Sequence, residues 1–247
     1  MKTSSRFAAR ATHVSAHVVK RARREVRRLP KRWRRVHRRA QTLVDRRHRS
    51  SYARSLAHVP SRDEIPEVLN RRGLLGDAVE IGVKTGKYSD FLLTHWHGRR
   101  LISVDPWLEA EPEEYVDRAN VPQGEHERFY ETTLQRLAPH GKRSEIRRLM
   151  SVEATRDVPD ASLDFVYIDA RHDYESVLED LDAWFPKVRP GGILAGHDYV
   201  DGTFSSGVFG VKSAVDEFFG ARDIPVHSTQ GKPPVEMFPS WLVNVPA

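Results

Sequence analysis

The sequence predicts an α/β fold in which a doubly wound, mostly parallel sheet is covered by helices on both faces. From about Gly73 onward, segments typical of strands alternate with segments typical of helices. The run Leu163–Asp169 is almost wholly apolar, as expected for a parallel strand buried on both faces. The 247 residues are enough for one such domain and an additional segment.

Seven strands and four helices can be placed in order along this domain. The predicted strands are Asp77–Val83, Leu101–Asp105, Ile146–Met150, Leu163–Asp169, Ile193–Gly196, Pro225–Ser228 and Trp241–Val245. Apolar residues at helical spacing predict helices over Tyr88–His95, around Phe129–Leu137, over Tyr174–Val188 and around Val211–Phe219. We expect the third of these helices to end at Pro190-Gly191-Gly192.

The charge of the chain is divided sharply. Residues 1–50 contain 18 Lys or Arg and two acids, a net charge of +16, whereas the remainder carries −10. The acidic remainder excludes a general nucleic-acid-binding function for the body of the protein. The absence of cysteine excludes disulfides and thiolate zinc sites, and it fits a reducing, cytoplasmic compartment. We see neither a secretory segment nor an apolar run of the ~20 residues needed to cross a bilayer.

The predicted organisation has three parts. Residues 1–50 form a basic extension, either amphipathic and helical or disordered; residues 51–72 form a linker and a leading helix; and residues 73–247 form the α/β domain. The extension carries one apolar stripe at spacings of three and four, interrupted at Pro30: Val19, Ala22, Val26, Leu29, Trp33, Val36, Ala40 and Leu43. Such a stripe could bind an anionic membrane surface, a partner subunit or, less in keeping with the acidic body, nucleic-acid phosphates. A solvated tail and an organellar transit peptide are further alternatives.

The loops after the first three strands carry candidate nucleoside-binding residues. The first strand leads into EIGVKTG, whose Gly82 and Gly86 allow a tight turn and a close approach to a ligand, although an ordinary strand-to-helix turn has the same pattern. Glu80 within this buried strand requires partners. Asp105 follows the second strand and could accept hydrogen bonds from ribose hydroxyls, or serve as a helix cap.

Three further residues are candidates for contacts with the adenine. Trp107 could flank an adenine, and Ser151 and Glu153 after the third strand could reach the adenine edge.

The fourth and fifth strands end in a cluster of titratable residues. Asp169 ends the fourth strand, and His197 and Asp198 follow the fifth, which we expect to be its neighbour. Two carboxylates suit Mg²⁺ or Mn²⁺, and an imidazole among them favours Mn²⁺, Fe²⁺ or Zn²⁺. His172, one turn beyond Asp169, could act as a general base at neutral pH, because the unperturbed pKa of an imidazole is about 6.5. Alternatively, Asp169 is a helix cap and the histidines lie on the surface.

Taken together, VEIGVKTG, SVDPW, FVYIDARHDY and RPGGILAGHDY resemble the class I S-adenosylmethionine-dependent methyltransferases, notably the group of macrocin and mycinamicin sugar O-methyltransferases and the cephalosporin-pathway enzyme. The resemblance extends from Gly73 to the C-terminus. It implies a single Rossmann-like domain with a seven-stranded sheet that uses S-adenosylmethionine. Val83 stands where many of these enzymes have a second glycine, and His197 stands where an acid is commoner.

The resemblance also assigns roles to individual positions. Those implied to bind the cofactor are Glu80, Gly82, Thr85, Gly86, Asp105, Ser151 and Glu153. Those implied to bind a metal are Asp169, His197 and Asp198, and those implied to be catalytic are Asp169 and His172.

The resulting hypothesis is methyl transfer from S-adenosylmethionine to a hydroxyl of a small-molecule acceptor, assisted by a divalent cation, Mg²⁺ or Mn²⁺. Residues 108–124 and 201–209 are candidate lids. Alternatives are methylation of RNA or another macromolecule that the basic extension grips, a non-catalytic scaffold, and an NAD-dependent oxidoreductase. The last is disfavoured because the glycines do not follow GxGxxG. We expect the protein to be cytoplasmic, at the membrane periphery if the extension binds lipid, and a homo-oligomer is compatible with the sequence.

Overall fold

A seven-stranded sheet forms the centre of the protein, as predicted. The computed structural model describes residues 56–111, 115–230 and 238–246. Five parallel strands are continued by two antiparallel ones, in the order β3-β2-β1-β4-β5-β9-β8. These strands are β1 (Asp77–Ile81), β2 (Arg100–Val104), β3 (Ser144–Arg147), β4 (Leu163–Ile168), β5 (Val188–Gly196), β8 (His227–Ser228) and β9 (Trp241–Asn244).

The strand order reverses between β1 and β4, and this reversal positions the site. In doubly wound sheets, ligands bind beyond the carboxyl ends of the strands at such a switch point. The loops after β1, β2, β4 and β5 therefore lie at the same end of the sheet and border one opening, the mouth of the candidate site. The candidate residues predicted from the sequence lie in or beside these loops.

Helices cover both faces of the sheet. They are α1 (Ile65–Arg72), α2 (Lys87–His95), α3 (Gln123–Leu137), the short α4 (Ser151–Ala154), α5 (Tyr174–Trp184) and α6 (Val211–Gly220). One apolar core joins α1 and α2 to one side of the sheet, and a second joins α5 and α6 to the other. Because β1 and β4 lie in the middle, every residue of both strands is buried.

Residues 201–209, a candidate lid, lie in an antiparallel hairpin of β6 (Asp201–Phe204) and β7 (Gly207–Gly210). Two predictions of local structure were wrong. Pro190-Gly191-Gly192 lies inside β5, beside a register shift in its pairing with β4, and the preceding helix has already ended at Trp184. The third strand lies two to three residues before its predicted position, because its side chains are only half-buried and the apolar signal is weak.

The basic extension lies outside the described residues, so its predicted helix is not addressed by the structure. In the part of the chain that is described, no helix is long and apolar enough to cross a membrane.

Candidate active site

The loop after β1 is shaped by a contact that only glycine permits. Gly82 has a φ of +83°, and a Cβ atom there would lie 1.9 Å from the carbonyl oxygen of Asp169 at the end of β4. The chain therefore passes directly over the neighbouring strand before it turns. Gly86, with a φ of +70°, then begins α2. Thr85 lies between them, and its carbonyl oxygen accepts a hydrogen bond from Arg136.

Asp105 holds this loop through backbone amides. Its Oδ2 accepts hydrogen bonds from the amides of Val83 (2.9 Å) and Lys84 (2.8 Å), and its Oδ1 accepts one from Trp107 (2.7 Å). A carboxylate has about four lone-pair positions, so capacity for a further donor remains. Asp105 thus fixes the loop after β1 at the place where the sequence predicted ribose binding.

The indole of Trp107 does not occupy the position predicted for it. Its side chain is fully buried, and its Nε1 donates a hydrogen bond to the carbonyl oxygen of Lys84 at 2.7 Å. An indole that flanks an adenine needs an open face. Trp107 is instead a packing residue beneath the loop, and its positive φ of 43° shows how sharply the chain turns after β2.

Glu80 lies beneath the same loop as a buried carboxyl group. It is 2% exposed and accepts a hydrogen bond from the hydroxyl of Ser89. Burial raises the pKa of Glu80 to about 8; the Ser89 hydrogen bond opposes this rise, and the nearby charge of Asp169 adds to it. Although the charge of Arg62 acts to lower the pKa of Glu80, burial prevails and favours the protonated carboxyl group near neutral pH in the ligand-free protein.

The two residues predicted near an adenine edge differ in their surroundings. The Ser151 hydroxyl donates a hydrogen bond to Asp180 on α5 and accepts one from the indole Nε1 of Trp184 at 2.9 Å. Glu153 faces solvent, with Arg156 at 3.9 Å. Ser151 is thus bound into the protein, whereas Glu153 is accessible from outside.

The titratable residues at the ends of β4 and β5 do converge. Potential ligand atoms of Asp169, His172 and Asp198 all lie within 4.8 Å of one another. The compact group contains His172, whereas the sequence suggested His197 as the histidine ligand. His197 borders the group, with its Nδ1 2.9 Å from Asp198 and 3.9 Å from Asp169. Asp198 has a positive φ of 52°, a backbone conformation that costs energy and is common at functional sites.

Sequence reasoning missed Asp117, which orients His172. Oδ2 of Asp117 lies 2.8 Å from Nδ1 of His172, and Oδ2 of Asp198 lies 2.9 Å from Nε2 on the other side of the ring. The ring also stacks on Phe209, with centroids 4.4 Å apart. Asp117 pairs with Gly207, so the two predicted lids meet over His172. No sequence signal marked Asp117, because it is 55 residues from His172 within an acidic segment.

The two carboxylates change the protonation of His172. Burial lowers the pKa of this imidazole, but the ring nitrogens of His172 face the carboxylates of Asp117 and Asp198, and these interactions outweigh burial and raise the pKa to about 10. The pKa of His172 therefore lies above the ordinary value near 6.5 on which its predicted role as a base depended, and in the ligand-free protein this favours the imidazolium form. For Asp198, burial acts to raise the pKa, yet the two neighbouring imidazoles hold it well below its usual value.

A second missed residue, Arg62, enters from the segment before α1. Its Nη1 lies 3.5 Å from Oδ2 of Asp169, and its guanidinium lies over the ring of Tyr88 at 4.9 Å. Residues 51–72 were predicted to be a linker and leading helix, and no site residue was assigned to them. A separation of 107 residues from Asp169 explains why no local pattern could reveal it.

Comparison with known proteins agrees with the fold. Residues 79–199 match a family model described as a methyltransferase domain. An uncharacterized protein, y4gI of Sinorhizobium fredii, is 34% identical over 79 residues. This match covers 30% of the present chain and only 9% of that relative's length.

Two solved structures illustrate the likeness of fold. The O-methyltransferase TomG from Streptomyces achromogenes, in complex with S-adenosylmethionine, is 20% identical, with a TM-score of 0.51 over 75% of this chain and 80% of its own. An O-methyltransferase from Bacillus cereus, in complex with S-adenosylhomocysteine, is 15% identical, with a TM-score of 0.52 over 83% and 90% of the two chains. At these identities, the likeness shows the common fold.

Proposed function

We propose that this chain, a class I S-adenosylmethionine-dependent methyltransferase, methylates a hydroxyl group of a small molecule with the help of a divalent cation. The observation that carries this proposal is the convergence of Asp169, His172 and Asp198 within 4.8 Å, beside the loop after β1. A methyl acceptor must lie in line with the sulfonium of the cofactor, and groups that orient and acidify a hydroxyl belong next to that loop.

The donor atoms suit a divalent cation. Two carboxylates and one imidazole form a common set for Mn²⁺ and related ions, with Mg²⁺ favoured if water supplies the remaining oxygens. Asp117 supports this assignment, because a histidine that binds a metal usually donates its other ring N–H to a carboxylate. Nε2 of His172 lies 2.9 Å from Asp198, and a divalent cation that displaced the proton of Nε2 could bind this nitrogen and that carboxylate together. A cation held there would position the acceptor hydroxyl and lower its pKa.

The cofactor would lie across the switch point of the sheet. We assign its methionine part to the loop Gly82–Gly86, its ribose to Asp105 and its adenine to the neighbourhood of Ser151 and Glu153. Glu80 would ionise when the α-ammonium of the cofactor approaches, because a nearby positive charge lowers the pKa of a carboxyl group.

In the transfer, the bond between the sulfonium sulfur and its methyl carbon breaks as the acceptor oxygen forms a bond to that carbon. The sulfur keeps the electron pair and leaves as a neutral thioether, and the acceptor hydroxyl loses its proton. We assign the proton to a carboxylate oxygen of Asp169 and then to solvent. Asp169 is suited to this step because its contacts are loose, at 3.5 Å to Arg62 and 3.9 Å to His197.

The surroundings of His172 favour a small acceptor with an apolar part. Phe204, Phe209 and Phe238 pack together beside His172, with ring centroids 4.8 to 5.7 Å apart. The acidic balance of the body disfavours a track for RNA leading to this mouth. We therefore prefer a small molecule to a macromolecular acceptor. For the basic extension we propose binding to an anionic membrane surface, which sedimentation with phosphatidylserine vesicles would test against a chain lacking residues 1–50.

A methyl-transfer assay tests the proposal. The full-length chain would be incubated with methyl-labelled S-adenosylmethionine and a panel of phenols, sugars, amines and RNA, with Mn²⁺, Mg²⁺ or EDTA. We expect transfer to hydroxyl compounds alone, loss of activity with EDTA, and strong loss in Asp198→Asn. Asp182→Asn, whose side chain on α5 is 73% exposed, serves as the matched control. Transfer to amines or RNA, or full activity in EDTA, would contradict the proposal.

A further inference from the structure

Arg62 reaches the candidate site from the beginning of the described chain. It begins a short 3₁₀ turn, Arg62–Glu64, directly before α1. Its side chain extends to the end of β4, where Nη1 lies 3.5 Å from Asp169. The loop after β1 leads into α2, and Tyr88 in the first turn of α2 lies under the guanidinium. Arg62 therefore lies beside the part of the mouth where the loop Gly82–Gly86 opens.

Tyr88 fixes both the backbone and the side chain of Arg62. The Tyr88 hydroxyl donates a hydrogen bond to the carbonyl oxygen of Arg62 at 3.1 Å, while its ring lies 4.9 Å from the guanidinium carbon. Tyr88 itself is buried and packs on Tyr167 of β4, with centroids 4.6 Å apart. A guanidinium held over a rigid aromatic ring has lost much of its conformational freedom before any ligand arrives.

The ion pair between Arg62 and Asp169 is weak by the standard of this protein. Arg99 binds Asp77 through two hydrogen bonds of 2.8 Å, the fork geometry that arginine and carboxylate prefer. Arg62 makes one contact of 3.5 Å with Asp169, and its side chain is 28% exposed. Because a guanidinium has five donor hydrogens, most of its capacity for a planar anion is not used by Asp169.

The charges around Arg62 indicate which group of a ligand it would bind. Glu80, Asp105 and Asp169 all lie at this mouth, and the charges of Asp169 and Asp105 both act to raise the pKa of Glu80. S-adenosylmethionine carries an ammonium, a sulfonium and a carboxylate. The acids complement its two cations, but they would repel its carboxylate unless a cation stood beside them.

We propose that Arg62 binds the α-carboxylate of the methionine part of S-adenosylmethionine, and that it is thus a cofactor-binding residue supplied by the segment before α1. This inference rests on the proposed function. Binding would replace a long contact to Asp169 by two charge-assisted hydrogen bonds to the ligand, and it would free Asp169 for the cation and the acceptor.

Two ligands that differ only in this carboxylate test the inference. S-adenosylhomocysteine and its decarboxylated analogue would be titrated calorimetrically into the full-length protein and into Arg62→Ala. We expect Arg62→Ala to weaken binding of S-adenosylhomocysteine by about ten- to a hundredfold, the usual effect of losing a charged hydrogen-bonding partner. Binding of the decarboxylated analogue should change less than threefold.

Two further variants make the comparison secure. Arg62→Lys keeps the charge without the fork, so it should retain part of the preference for the carboxylate. Arg71→Ala removes an exposed arginine on α1 that pairs with Glu67, and it should leave both affinities unchanged. Thermal unfolding of each variant would confirm that the domain remains folded.

Other outcomes would overturn the inference in distinguishable ways. If Arg62→Ala weakened the binding of both ligands equally, Arg62 would support the nucleoside site indirectly. If the variant weakened the binding of neither ligand, Arg62 would not contact the cofactor. If the unaltered chain bound neither ligand, the proposed function itself would be wrong.

Discussion

Asp180 offers a test of how burial controls charge in this protein. It is 5% exposed on the inner side of α5 and accepts a hydrogen bond from the hydroxyl of Ser151, a predicted cofactor residue. Burial raises the pKa of Asp180 to about 7 from 3.8; the Ser151 hydrogen bond opposes this rise, and the charges of Glu179 and Asp173 add to it. Asp180→Asn keeps an acceptor for Ser151 and removes the titrating proton.

The sign and size of the effect follow from the two pKa values. Between pH 3.8 and about 7, the folded chain binds the Asp180 proton and the unfolded chain does not, so stability falls as the pH rises. Each pH unit in this window lowers the free energy of unfolding by about 1.4 kcal/mol. Between pH 5 and pH 8, the free energy of unfolding of Asp180→Asn should therefore rise by about 3 kcal/mol relative to that of the unaltered chain. This rise should level off near pH 7.

Urea unfolding followed by tryptophan fluorescence would measure this difference, because Trp96, Trp107, Trp184 and Trp241 are all buried. Asp182→Asn on the same helix is the control, since its side chain is 73% exposed. A stability difference between Asp180→Asn and the unaltered chain that stays constant from pH 5 to pH 8 would refute the reasoning.

Three further predictions concern the site itself. Gly82→Ala should destabilise the domain by several kcal/mol and abolish cofactor binding, because the new Cβ atom would clash with the carbonyl group of Asp169. Urea unfolding measures the stability, and calorimetry measures the binding. A stability close to that of the unaltered chain would contradict this prediction. Asp117→Asn should lower the affinity for Mn²⁺ by about 10–100-fold, because it removes the carboxylate that orients His172, and it should leave the affinity for S-adenosylhomocysteine unaltered. Calorimetry with each ligand separates the two effects. An unchanged affinity for Mn²⁺ would contradict the role of Asp117 in orienting His172. Asp105→Asn should weaken the binding of S-adenosylhomocysteine by about tenfold or more, because it removes a charged acceptor from the ribose position and from two amides of the loop. Equal affinities of the variant and the unaltered chain would show that Asp105 does not bind the cofactor.

The sheet could be predicted from the sequence because its central strands are apolar throughout. β1 and β4 are buried along their whole length, and their runs stand out against the charged loops. β3 is half-buried and was misplaced. The hairpin of β6 and β7 was missed because β6 is exposed along its length, and because β7 is only four residues long and begins and ends with glycine, so its sequence carries too little apolar signal to mark a strand.

The site was predictable only where its residues follow strands. Asp169 and Asp198 could be placed near one another because β4 and β5 were expected to be neighbours, and they are. The choice between His172 and His197 depends on the direction of each ring, which no spacing reveals. Asp117 and Arg62 reach the site from 55 and 107 residues away along the chain, so only the folded structure brings them in.

The most direct test of the central claim is a titration of the full-length protein with Mn²⁺ in the presence of saturating S-adenosylhomocysteine. The same titration would be made on Asp169→Ala and on the exposed control Asp182→Asn. The account predicts one cation per chain, bound by the unaltered protein and the control and lost in Asp169→Ala, with S-adenosylhomocysteine bound by all three. Absence of cofactor binding to the unaltered chain would contradict the methyltransferase assignment of the site. Cofactor binding together with Mn²⁺ affinity that Asp169→Ala leaves intact would contradict the cation site at the ends of β4 and β5.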